Sequence, residues 1–111
     1  MIATDATSST AGALNAVSST FQIENADDYG VQVTGTWAGT LTFQTSIDGT
    51  NWVTTAVQPV GATTSTTWVT TTTANGIWGR PAGGLKYARV QMTAYTSGTA
   101  TIVFVGTRYS K

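Results

Sequence analysis

The sequence contains no histidine and no cysteine among its 111 residues. These residue types supply the commonest general base, the commonest transition-metal ligand and the strongest side-chain nucleophile of enzymes. We therefore expect no catalytic residue, no cofactor and no metal site. Without cysteine the chain also has no disulfide framework, which weakly favours an intracellular origin, because small secreted domains often depend on disulfides.

Charge is equally scarce, since five basic and five acidic residues make up 9% of the chain and leave a formal net charge of zero. Such a surface has no basic field to hold a nucleic acid or an anionic membrane, so we expect neither as a partner. Residues 1–15 lack the basic and apolar regions of a signal peptide, and no segment has the length of a membrane span. A neutral surface also lacks self-repulsion, which suits a protein whose faces contact other copies.

Few carboxylates remain that could do chemistry. Glu24, Asp27 and Asp28 lie in one polar segment, and Asp48 precedes a glycine in another. Paired carboxylates are what a glycosidase needs, and clustered oxygens are what Ca²⁺ prefers. The segment lacks the spaced Asp-x-Asn-x-Asp-Gly pattern of a calcium loop, so we interpret both places as solvated turns.

The residues that are abundant are typical of β-structure: threonine dominates, glycine occurs 12 times and tryptophan four times, with only two prolines. Short alternating segments separated by turn signals predict an all-β, single-domain antiparallel β-sandwich of about eight strands. It is jelly-roll-like or immunoglobulin-like, and we favour the former because the Cys, Trp, Cys signature is missing. The predicted strands cover residues 17–23, 29–37, 39–47, 52–57, 68–73, 77–78, 87–95 and 99–109.

Three glycine-containing dipeptides predict the turns. Asp48-Gly49 and Ser97-Gly98 predict two hairpins in which glycine has a positive φ, and Asn75-Gly76 predicts a further turn. Residues 102–105 are apolar on both faces, which is typical of a central strand.

The sequence predicts an N-terminal arm over residues 1–15 and the sandwich domain over residues 16–111. The arm has too little apolar surface to offset its backbone entropy, so we expect a neighbouring chain to order it, with Ile2 and Leu14 as anchors. The alternative is an arm that folds back along its own sheet.

The four tryptophans and four tyrosines exceed the needs of one small core. We expect Trp37 and Trp52 inside. Trp68 and Trp78 are flanked by threonine tracts and a Gly/Pro loop, so we expect them outside, on a protein interface or on a ligand. Exposed tryptophans also stack on sugar rings, which makes a surface glycan the alternative partner. The predicted interface residues are Ile2, Leu14, Trp68, Trp78 and Arg80.

Two arginines, Arg80 and Arg89, lie near aromatic residues in the sequence. We interpret both as surface cations stacked on rings.

Two segments carry a resemblance to a known group of proteins. Residues 45–52 read Thr-Ser-Ile-Asp-Gly-Thr-Asn-Trp, and residues 87–100 have the form Tyr-x-Arg-Val-x-x-Thr-x-Tyr-Thr-Ser-Gly-Thr-Ala. Over residues 29–107 the chain resembles small β-sandwich virion proteins of tailed bacteriophages. The resemblance implies a capsid decoration (cement) protein, or a tail or baseplate component, assembled in the bacterial cytoplasm. Its partners would be the major capsid or tail protein and copies of itself, and no catalytic residue is implied.

Overall fold

All regular elements of the chain are β-strands in the computed structural model, which describes residues 2–23, 26–60 and 67–108, with side chains from Thr7 onward. They form one eight-stranded antiparallel sheet in the order β1-β8-β3-β7-β5, with β2 on β8 and both β4 and β6 on β3. The predicted all-β antiparallel sandwich is confirmed. Within the described ranges no helix could cross a membrane. The strands are β1 (Ile2–Ala11), β2 (Phe21–Gln22), β3 (Asp28–Ser46), β4 (Val53–Thr54), β5 (Gln58–Pro59), β6 (Thr71–Thr72), β7 (Gly76–Pro81) and β8 (Tyr87–Arg108).

Two long strands organise the sheet. β3 has 19 residues and β8 has 22, and they pair along their whole length. Two register shifts lie between Ala38 and Gly39 and between Thr40 and Leu41. Such bulges bend a strand pair and increase its twist. In the half of the sheet before these shifts of β3, β1 pairs with β8 and β7 pairs with β3. In the half after the shifts, β2 pairs with β8, and β4 and β6 pair with β3.

The two halves of the bent sheet face each other across one core. Phe21 of β2 stacks on Phe104 in the other half, with ring centroids 5.5 Å apart. Phe43 of β3 packs on Trp78 of β7 at 5.2 Å. Inward residues of β8 alternate through both halves, as the period of a strand requires, and are buried throughout: Ala88, Val90, Met92, Ala100, Ile102 and Phe104.

The predicted hairpin at Ser97-Gly98 is wrong, because β8 runs straight through it. Gly98 has the expected positive φ of 82°, but it lies opposite Trp37 beside a bulge. A glycine in this conformation serves a bulge as well as a turn, and local sequence does not distinguish the two. Gly39 likewise lies at a bulge and not in a turn, so the predicted strands 29–37 and 39–47 form one strand, β3. Predicted strands 17–23, 52–57 and 68–73 contain only the two-residue strands β2, β4 and β6.

The hairpin at Asp48-Gly49 is confirmed, since β4 pairs with the end of β3 and Gly49 has φ of 79°. The Asp48 carboxylate accepts hydrogen bonds from the backbone N–H groups of Asn51 and Thr50, both at 2.8 Å. These bonds hold the pKa of Asp48 below its usual range. Asp48 is therefore a turn-forming residue, as the sequence indicates.

Residues 2–11 form β1, which pairs antiparallel with β8 of the same chain, from Ile2 opposite Arg108 to Ala11 opposite Ala100. This is the alternative of an arm on its own sheet, and it corrects the expectation that a neighbour orders the segment. A backbone ladder needs few apolar side chains, and β8 offers its free edge for one. The boundary at residue 15 between arm and domain stays a prediction.

Candidate interaction surface

The predicted interface residues do not come together. Leu14 is 58% exposed and lies beyond the end of β1, whereas Trp68 and Arg80 lie together elsewhere. The side chain of Ile2 lies outside the described part of the structure.

The prediction that Trp78 lies outside the core is wrong, because its side chain is only 6% exposed and packs on Phe43. Trp78 lies opposite Val31 in the β3–β7 ladder, and both side chains face inward. A shift of one residue in a strand moves every side chain to the other face. The glycines that flank Ile77 and Trp78 do not indicate which of these two residues faces out. It is Ile77, which is 46% exposed.

Trp68 and Arg80 form the first exposed aromatic and cation pair. Trp68 is 42% exposed, and the Arg80 guanidinium lies 5.8 Å from its ring centroid. Arg80 is held in place because Nη1 donates to the Ala56 carbonyl at 3.0 Å and Nε donates to the Pro81 carbonyl at 2.9 Å. The predictions of an exposed Trp68 and of a stacked Arg80 are confirmed.

A cavity of about 300 Å³ adjoins Arg80, and its lining includes Tyr29, Gln58 and Pro59. Burial raises the pKa of Tyr29 to about 12, although the charge of Arg80 acts in the opposite direction. The phenol is therefore neutral at physiological pH. The lining of this cavity therefore combines a neutral tyrosine with Gln58 and the Arg80 cation.

Arg89 forms the second pair, with its guanidinium 4.2 Å from the Trp52 ring centroid. Its Nε donates to the Gln44 side-chain oxygen at 2.7 Å, and the Gln44 amide donates to Gln91 at 3.1 Å. Arg89 is thus a stacked cation, as predicted. Trp52 is half-exposed on this polar outer face, so the prediction that it fills the core is wrong.

Trp37 is half-buried against the core, and its indole connects two strands. Its Nε1 donates to the Asn75 side-chain oxygen at 2.7 Å, while the Asn75 amide donates to the Gly35 carbonyl at 3.0 Å. Asn75 therefore holds the turn before β7 against β3. The sequence indicates only the turn, because these partners lie far away along the chain.

The outer face of the sheet carries exposed apolar residues that sequence reasoning missed. The prediction that residues 102–105 form a central strand is confirmed, since β8 lies between β1 and β3. The outward Val103 and Val105 line a shallow cavity of about 190 Å³ together with Ile77. A second apolar cavity, of about 420 Å³, lies beside the Asp48 turn. Its lining includes Ile47 and Val53, which are 64% and 63% exposed.

Comparison with known proteins identifies the fold. No family model matches the chain, and no curated protein matches it in sequence. The crystal structure of YomS, derived from the SPBc2 prophage, aligns with 95% of both chains at a TM-score of 0.73 and 16% identity. The PBSX exported protein XepA aligns with 91% of this chain at a TM-score of 0.70 and 14% identity. The chain spans 38% of the length of XepA. This fold occurs in prophage-derived proteins.

The acidic residues were the other group considered in the sequence. Glu24 lies outside the described residues, and Asp27 and Asp28 each have an interaction partner. Among the residues that the structure describes, no three histidine, cysteine, aspartate or glutamate side chains are grouped as a metal site would require. The described surface thus offers stacking, apolar contact and hydrogen bonding.

Proposed function

We propose that the chain is a non-enzymatic structural protein of a bacteriophage particle that acts through protein–protein contacts. The observation that carries the proposal is the fold shared with the prophage-derived YomS over 95% of both chains. The resemblance of residues 45–52 and 87–100 to phage virion proteins supports it independently. We favour capsid decoration over a tail or baseplate position, because the described residues form one small all-β domain.

The described surface suits such a role. Exposed apolar side chains are grouped at two places, around Ile77 and Val105 and around Ile47 and Val53. Exposed apolar side chains that lie together in this way are one mark of surfaces that bind other proteins.

The test is the composition of purified particles. Prophage induction in the organism that encodes the chain, followed by gradient purification and quantitative mass spectrometry, should find the protein at a fixed copy number per particle. Cryo-electron microscopy would then separate decoration of the shell from a position in the tail. Absence of the protein from particles that are otherwise complete would refute the proposal.

Sugar recognition is the second candidate, and the exposure of Trp68 beside Arg80 favours it. Aromatic faces beside hydrogen-bonding groups are a common way to hold a sugar ring. A glycan array with the wild type and Trp68→Ala tests it, with Ile77→Ala as a control at another exposed apolar position. A decoration protein should show no saturable binding. Binding that is lost only in Trp68→Ala would favour the sugar site.

A further inference from the structure

β1 is an edge strand with an open outer side. It stands at the end of the strand order and pairs with β8 on its inner side. In the part of the chain that the structure describes, no strand pairs with its outer side. Ser19 reaches it only by donating its backbone N–H to the Ser9 hydroxyl at 3.0 Å. Among the described residues, a row of backbone donors and acceptors on β1 therefore has no strand partner.

Residues 6–11 of β1 lack the features that normally protect such an edge. Natural edge strands are short, contain proline or charged residues such as lysine, or carry a bulge that turns them away. β1 is ten residues long, reads IATDATSSTA, and contains neither proline nor lysine, while its one charged residue, Asp5, lies within the bulge. Its bulge lies near the start, between Ala3 and Ala6, and residues 6–11 follow a regular register.

We propose that the outer edge of β1 binds β1 of a second copy of this chain, antiparallel and about a twofold axis. In this arrangement each strand donates and accepts the same set of backbone hydrogen bonds, so the interface is self-complementary. Residues 6–11 carry no charge, and the net charge of the chain is zero, so two identical edges meet without repulsion. The small threonine, serine and alanine residues allow close approach. A charged partner would find no complementary group along this part of the edge.

The first experiment measures the oligomeric state of the full chain by sedimentation equilibrium between about 1 and 100 μM. Ser8 and Thr10 are exposed on β1, and Thr34 and Thr36 are exposed on the central strand β3. The variant Ser8→Lys/Thr10→Lys should raise the dimer dissociation constant at least about ten-fold, because like charges then face each other across the axis. Thr34→Lys/Thr36→Lys adds the same charge on β3, which β8 separates from β1, and should leave dimerisation through β1 unchanged. Thermal melts establish that both variants fold.

Three outcomes would overturn the proposal. They are a wild type that stays monomeric throughout, an edge variant that dimerises like the wild type, and a β3 variant that dissociates as much as the edge variant. The last result would place the interface on the outer face of the sheet.

A crosslinking experiment tests the geometry directly, because the chain has no cysteine of its own. A single introduced cysteine can form a disulfide only with another copy. Opposed residues of an antiparallel pair have Cα atoms about 4.5 to 5.5 Å apart, within the range of a disulfide. Among Thr7→Cys, Ser8→Cys, Ser9→Cys and Thr10→Cys, those nearest the axis should crosslink on mild oxidation, and Thr36→Cys should not. No crosslink at any of the β1 positions would contradict the pairing.

The proposal deepens the function proposed above, since it names how copies of a structural protein join, but the two can fail separately. Dimerisation through β1 is measured on the purified chain. The virion role is measured by the composition of particles. A β1 dimer that is absent from particles would refute the virion role alone, and a particle protein that does not pair through β1 would refute the edge interface alone.

Discussion

Replacing Gly98 by alanine should destabilise the protein far more than the same change at Gly84. Both glycines have φ of 82°, a conformation that side chains rarely adopt. A Cβ at Gly98 would overlap the Thr36 carbonyl oxygen and lie 2.7 Å from the Trp37 Cα. A Cβ at Gly84 would have no atom within 4 Å. The two variants therefore share the backbone strain and differ in the steric contact.

The magnitudes follow from these two contributions. Positive φ with a Cβ costs about 1 kcal/mol at either position. The overlap at Gly98 is with backbone atoms of β3 that cannot rotate away, and it adds about 1 to 3 kcal/mol. We expect a loss of about 2 to 4 kcal/mol for Gly98→Ala and about 1 kcal/mol for Gly84→Ala.

Urea denaturation measures the difference. The midpoint should fall with an unchanged m-value, and the melting temperature should fall by about 4 to 8 °C per kcal/mol at this size. Equal losses of stability in the two variants would show that β3 and β8 move apart at no cost. The close, continuous pairing of the strands at Gly98 would then be the wrong description.

Three further predictions concern single side chains. Trp78→Ala should reduce the free energy of unfolding by about 3 to 5 kcal/mol because Trp78 is buried on Phe43, whereas Trp68→Ala should change it by under about 1 kcal/mol. Chemical unfolding of both variants checks this, and comparable losses would contradict the burial. Asn75→Ala removes two hydrogen bonds and should cost about 1 to 2 kcal/mol in thermal melts, and a wild-type melting temperature would show that they contribute nothing. Tyr29 ionises at pH 10.0 when unfolded and at about 12 when folded, so stability should fall between these pH values, by up to about 1.4 kcal/mol per pH unit. Tyr29→Phe should lack this part of the decline, and identical pH profiles would refute the assignment.

The sequence predicts best those features of the fold that a short segment determines by itself. The Asp48-Gly49 turn is built from its own side chain and neighbouring amides, so the local pattern is enough to place it. The Ser97-Gly98 dipeptide has the same chemistry but serves a bulge, because β3 supplies a partner on both sides of it. For a related reason, the sequence offered the pairing of β1 with its own sheet only as the alternative. The order of β1 depends on the edge of β8, whose paired residues lie about 90 to 105 positions further along the chain.

The same distinction between local and long-range determinants applies to the candidate surface. The exposure of Trp68 was predictable from its polar flanks. The stacking of Arg80 and Arg89 was predicted as well, but their partner rings, Trp68 and Trp52, are distant in sequence and are known only from the fold. The inward position of Trp78 depends on the register of β7, which no single segment determines. The apolar cavities bring together residues from separate strands, so they become visible only in the folded chain.

The pairing of β3 with β8 has a consequence for how the chain folds. Asp28 pairs with Thr107 and Ser46 pairs with Tyr87, so a large part of the chain must be closed into a loop before any of this ladder forms. Closing such loops costs entropy before any contact compensates for it, and topologies of this kind fold on timescales of milliseconds to seconds. Because the same two strands run through both halves of the sheet, the halves are completed together when this ladder forms. The sandwich should therefore form in a single kinetic step, and its newly synthesised copies should spend their longest unfolded interval waiting for β8.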